Sequence, residues 1–203
     1  MKDGFRQARS AATLERILSA ALIEFRAEGF RGAGIAAICK RAGISAGNLY
    51  HYFTGKEAIV AAIVERDRQR IRGDIERLLS ADAPIKALVD AITRNLAFDD
   101  FAMDGALSLE IYAEAARNAA IAHILQGCER ALRAETVEML AALQARGEIA
   151  ADVDLVAAAS LMIALVDGMM VRRAVFDPIG DLSVFAQPLE RMLAGLLAAN
   201  TKK

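Results

Sequence analysis

Along most of the chain apolar residues return at i, i+3, i+4 and i+7, the spacing of a helix with one buried face. Where the spacing breaks there is a glycine, a proline or a capping side chain. Ile17, Leu18, Ala21, Leu22 and Phe25 predict a helix over 13–28 that Gly29 stops. A shorter stripe follows at Ile35, Ile38, Cys39 and Ala42. Gly43 ends it, because glycine enters the left-handed conformation without steric penalty. Ser45 is placed to N-cap a third, short helix, with Ile44 and Leu49 as the hydrophobic staple around the cap. Thr54 and Glu57 have capping-box spacing. The helix they open runs through Ile59, Ile63, Ile71, Ile75 and Leu78, and its middle, Glu65–Arg70, is almost wholly charged.

Five more helices follow. Pro84 opens one whose stripe is Leu88, Val89, Ile92 and Leu96. The stretch Phe98–Phe101 breaks it, and Asp104 can cap the next, which runs to Arg117. Asn118 caps a long helix that Gly147 terminates. Residues 153–176 are apolar nearly all round until Asp177 and Pro178, and a last helix spans 183–199. No stretch alternates polar and β-branched residues between turns. The expected fold is all-α, about nine helices in total, with a head over 1–55 and a helical body over 56–203.

The third helix makes a poor core element. Its outer face shows Ala46, Gly47, Asn48, Tyr50 and His51, small, polar and aromatic together. Two helices joined at a steep angle by a three-residue turn containing glycine form a helix-turn-helix, whose second helix reads the DNA major groove. Leu22, Phe25, Ile35, Ile38, Leu49 and Phe53 supply a core for this three-helix head. Lys56 falls in the first turn of the fourth helix, where its charge opposes the helix dipole. That placement suits a phosphate held jointly by the lysine and the free amides; a solvated lysine is the bland alternative. Residues 1–12, with Lys2, Arg6 and Arg9, read as a basic arm, either frayed or touching phosphates or the minor groove.

Charge supports this division. Overall the net charge is −1, but residues 1–56 carry nine Lys/Arg against four Asp/Glu, and 57–203 sixteen against twenty-two. A basic head on an acidic body fits nucleic-acid binding by the head. Composition adds exclusions. MKDGFRQARS lacks the apolar segment of a secretory signal, and the run Leu155–Val166 meets Asp167 after twelve residues, too short to span a bilayer. Cys39 and Cys128 read as lone reduced thiols, as expected in a cytoplasm. Two histidines, separated cysteines, no phosphate-cradling loop and no metal-ligand spacing leave no catalytic constellation, metal site or cofactor to propose.

The run Ala42-Gly-Ile-Ser-Ala-Gly-Asn-Leu-Tyr-His-Tyr-Phe53, followed by Lys56-Glu57, resembles the signature of the TetR (tetracycline repressor) family of bacterial transcriptional regulators. Glu114–Asn118 and Val166-Asp-Gly168 also look familiar from that family. One departure stands at Ala33-Gly34, where the family commonly has a hydroxyl residue that caps the motif's first helix and touches phosphate. The resemblance implies a homodimeric cytoplasmic repressor whose heads enter successive major grooves of a pseudo-palindromic operator in double-stranded DNA. It further implies release by a small-molecule effector; control by a protein partner, or none, is the other reading. Ser45, Ala46, Gly47, Asn48, Tyr50, His51 and Lys56 are the implied DNA-binding set, with Asn48 and His51 toward base edges and Tyr50 and Lys56 toward phosphates. Family pockets lie among the later helices, and periodicity offers Phe98, Phe101, Met103, Leu107, Glu110, Tyr112, His123 and Met162 as lining. The last two long helices would pair across the dimer through Met162, Val166, Met169, Met170, Leu189, Met192, Leu193 and Leu196. Asp167 inside that apolar surface needs a partner, such as Arg172 or Arg173, or a place in the pocket.

Overall fold

The computed structural model describes the backbone of residues 2–97, 105–176 and 183–198, and the side chains of 9–94, 105–176 and 184–198. Among the described residues there are nine helices and no strand: α1 (Lys2–Gly32), α2 (Ile35–Ala42), α3 (Ala46–Tyr50), α4 (Lys56–Leu79), α5 (Pro84–Ala97), α6 (Gly105–Ala115), α7 (Ala119–Ala145), α8 (Leu155–Val175) and α9 (Ser183–Leu197). The all-α expectation holds. The supposed N-terminal arm is instead the first part of α1. Alanine, arginine and glutamine are strong helix formers, and nothing after Gly4 interrupts the run before Gly29. Lys2 and Arg6 have side chains outside the described residues, while Arg9 is exposed. Gly29, at φ 69° and ψ 169°, breaks the helix where expected; a last turn, closed by Ala33 N–H to the Gly29 carbonyl at 3.1 Å, follows.

Two compact units emerge, each discontinuous in sequence. The first is 1–66 with 106–125, so that α6 and the start of α7 fold with the head. Its core holds Ile17, Leu18, Phe25, Ile38, Leu49, Ile59 and Ile63, joined by Leu107, Ile111 and Ile121. Burying a side chain such as Leu49 contributes about 1.5–3 kcal/mol. The second unit is 67–105 with 126–203. Leu88, Val89, Leu140, Leu143, Ala159, Met162, Leu189 and Leu193 fill its core.

Caps read from the sequence are mostly in place. Asn118 Oδ1 accepts from the Ala120 and Ile121 amides at 3.1 and 3.4 Å, opening α7. Gly147, at φ 77°, closes it. The box at Thr54 differs. The first rung of α4 is Ile59 N–H to the Gly55 carbonyl, so Gly55 takes the N-cap position, and Glu57 accepts from Asn118 Nδ2 at 3.5 Å. Helix α8 continues past the twelve-residue apolar run to 21 residues, long and apolar enough by composition to cross a membrane. It packs Ala158, Ala159 and Met162 into the second unit's core and leaves another face bare.

Candidate DNA-binding interface

The turn between α2 and α3 is built by three groups. Gly43 sits at φ 64°, ψ 41°, with its N–H donating to the Lys40 carbonyl at 3.3 Å and the Ile44 N–H to the Cys39 carbonyl at 3.1 Å. This is the Schellman arrangement that a glycine C-cap permits. Ser45 Oγ accepts from the Asn48 N–H at 3.2 Å and caps α3. Arg16 of α1 reaches across: its Nε donates to the Ala42 carbonyl at 3.0 Å and an Nη to the Gly43 carbonyl at 3.1 Å. Those are carbonyls the end of α2 would leave unsatisfied, so Arg16 fixes the turn from outside. Arg41 adds a second tie, its Nε 2.6 Å from an oxygen of Glu24, which is 8% exposed. Arg16 carries no local sequence signal for this role. Only the packing of α1 on α2 brings it there.

On this scaffold α3 spans five residues, with Phe53 N–H donating to the Leu49 carbonyl at 3.0 Å beyond it. Leu49 and Phe53 point into the core. Ser45, Ala46, Gly47, Tyr50 and His51 are exposed and Asn48 is half-buried, so these six members of the expected DNA set share one short segment. Gly47 is the informative one. A Cβ built there meets only Ser45 Oγ, at 4.0 Å, so nothing inside the chain requires a glycine. Cys39, 5% exposed, lies in the core behind the motif, and burial raises its thiol pKa.

Lys56 has an internal role. Its Nζ donates to the carbonyls of Phe30 and Arg31, the latter at 3.2 Å, and sits 4.7 Å from the centroid of the Phe30 ring. Two of its three N–H groups are therefore engaged at the end of α1.

Gly34 takes the N-cap of α2, at φ −87° and ψ 145°, with no side chain to bond the free amides. A Cβ there meets nothing within 4 Å. Gly34→Ser should therefore raise stability by a few tenths of a kcal/mol, roughly the Gly-to-Ser difference at an N-cap. It should also raise operator affinity at an unchanged salt slope if the hydroxyl reaches a phosphate, because an uncharged donor releases no counterion. Thermal melting and a salt titration check both.

The expected effector-pocket residues are dispersed. Phe98, Phe101 and Met103 lie outside the described residues. Leu107 is buried in the first unit, Glu110 accepts from the Phe30 N–H, Tyr112 is 41% exposed and His123 is exposed on α7. Met162 belongs to the core of the second unit. A cleft of about 320 Å³ lies in the second unit between α4 and α5, framed by Asp74, Arg77, Asp90 and Arg94 over Leu78 and Ala91. None of the expected residues that are described lines it.

The expected dimer residues divide as well. Met162, Leu189 and Leu193 are core; Val166, Met169, Met170 and Leu196 are half-buried against that core; Met192 is exposed. A helix apolar all round does not announce which face is covered. The bare face of α8 is Ala157, Leu161, Ala164 and Gly168, extended by Val175 and Phe176, with Val184, Phe185 and Met192 exposed on α9. Asp167 lies off it, half-buried.

Comparison with known proteins agrees with this geometry. Residues 17–63 match the model for bacterial regulatory proteins of the tetR family, and residues 84–198 match that for the C-terminal part of BetI-type transcriptional repressors. The HTH-type transcriptional regulator UidR of Escherichia coli K12 is 32% identical over 198 residues, covering 96% of this chain and 97% of that protein. The structure of Salmonella enterica GusR superposes with a TM-score of 0.79 at 34% identity, covering 91% of this chain and 95% of that one. The fatty acid degradation regulator FadR from Bacillus halodurans, at 20% identity and a TM-score of 0.78, shares the fold. Both halves of the sequence, the helix-turn-helix and the all-α architecture therefore agree that this chain belongs to the TetR family of DNA-binding transcriptional regulators.

Proposed function

We propose that the chain is a cytoplasmic repressor that binds a pseudo-palindromic operator as a homodimer and is released by a small-molecule effector. The observation that carries this reading is the α3 face. Its buried side is pinned by Leu49 and Phe53, its entry by Ser45 and Arg16, and its outer side is open at Gly47. A rigid element with nothing to pack against on one face suits a partner groove. Asn48 and His51 stand for base contacts there, and Ser45, Tyr50 and Lys56 for backbone contacts. The bare α8–α9 face supports the dimer, because exposed apolar surface of that extent marks an interface. The α4–α5 cleft, whose volume is at the lower end for small-molecule sites, supports an effector.

Selection from a random duplex library, followed by gel shifts across a salt series, tests the reading. The expected result is a two-fold symmetric site bound with a steep salt slope; no selected sequence overturns it. Asn48→Ala should cost about 1–3 kcal/mol of discrimination at one base position of that site. Lys56→Ala should weaken all sequences alike and reduce the salt slope by about one. It should also lower the melting temperature, because the Phe30 and Arg31 carbonyls lose their donor.

A further inference from the structure

Most of the head's internal ties are apolar, but the corner where α1 ends is held by charge. Gly29 breaks the helix, and the next amide, Phe30 N–H, donates to Glu110 Oε1 of α6 at 2.9 Å. The positive φ of Gly29 favours glycine, and a Cβ there would lie 2.7 Å from that same oxygen and push the carboxylate aside. One turn further along α6, Glu114 is 3% exposed and bonds Arg31 Nε and Arg117 Nε, each at 3.0 Å. Its carboxyl is held below the usual range by Arg117 first and then by Arg31. From the other side Lys56 Nζ grips the Phe30 and Arg31 carbonyls.

The corner Gly29–Arg31 is therefore clamped at its amide, its two carbonyls and a side chain, by groups from two other helices. After it come Gly32, Ala33, which is buried, and Gly34, which caps the start of α2. A corner with glycine at its hinge has little stiffness of its own. Its angle sets the direction in which α2, and the α3 capped onto it, leave α1.

We infer that Glu110 and Glu114 are positioning residues for DNA binding: they fix the pose of the helix-turn-helix by clamping the α1 corner, without touching DNA. The inference rests on the operator-binding reading above. Neither residue lies on the α3 face, and both carry negative charge, so a direct contact with phosphate is excluded by sign.

The test compares wild type with Glu110→Ala, Glu110→Gln and Arg31→Ala on the operator selected by the wild-type protein, and on versions of it with one base pair added or removed between half-sites. Glu110→Ala should bind the selected site about tenfold more weakly, the effect of losing a hydrogen bond to a charged group. It should also discriminate less against the altered spacings, because a looser head accommodates them. Glu110→Gln keeps an acceptor oxygen and should recover most of both. Arg31→Ala removes a largely exposed partner of Glu114 and should shift spacing preference in the same direction with a near-native melting curve; it decides the question if Glu110→Ala does not fold. Folded variants with wild-type affinity and wild-type spacing preference overturn the inference. A wild-type protein that selects no sequence overturns the operator reading instead, before any variant is made.

Discussion

Gly47→Leu is expected to fold as well as the wild type and to lose operator-specific binding. Glycine within a helix costs about 0.5–1 kcal/mol relative to alanine, so stability alone disfavours it at this position. Its φ is not in the left-handed region and its Cβ position is open to 4.0 Å, so no internal constraint explains it. The remaining reason is external: a surface that approaches the α3 backbone closely. Gly47→Ala should therefore gain about 0.5–1 kcal/mol in melting while already weakening operator binding. Leucine projects further, lifts α3 away from the groove floor and should reduce affinity toward the non-specific level, a loss of about a thousandfold. Calorimetry with gel shifts on specific and unrelated duplexes separates the two effects. A leucine variant that is folded and binds the selected operator normally would remove α3 from the interface.

Placing a charge on the bare stripe of α8 should act as strongly from the opposite end of the sequence. Leu161 is 58% exposed and Gly168 has no neighbour within 4 Å of a Cβ position, so Leu161→Arg and Gly168→Arg disturb nothing inside the chain. Each should yield a folded monomer of 21.8 kDa by sedimentation. A monomer holds one half-site only, and operator affinity should drop by about three orders of magnitude, toward the non-specific level. Met162→Arg should instead unfold the second unit, because Met162 is core. If both stripe variants sediment as dimers, the interface uses another face.

What was legible in the sequence was local. Gly43, Ser45, Asn118 and Gly147 act through backbone geometry within a few residues, and the structure finds each in its expected role. The buried stripes were nearly as plain, since Leu22, Phe25, Ile38, Leu49 and Phe53 are core and Ile35 is half-buried. Long-range polar ties were not. Arg16 on the Ala42 carbonyl joins residues 26 apart, and Glu110 on the Phe30 amide joins residues 80 apart, so no spacing rule reaches either. The tie of Glu110 to the α1 corner therefore had no signal in the sequence, where periodicity offered it only as pocket lining. In α8 the pattern failed for the opposite reason: apolar residues on every side conceal which face is bare, so Met162 and Leu161 looked alike. At Thr54 the capping-box spacing misled, because Gly55 supplies the first helical carbonyl and Glu57 bonds Asn118 instead.

The buried thiol behind the motif has a practical consequence. Alkylating reagents attack the thiolate, and Cys39 is both enclosed and held protonated by its surroundings. Label can enter there only through states in which the head has opened, so its uptake rate is a clock for local unfolding of the reading head. Cys128, half-buried on α7, offers an internal standard within the same molecule. The natural sequence thus carries its own gauge of head opening, and DNA that holds the head closed should slow the Cys39 clock while leaving the Cys128 one running.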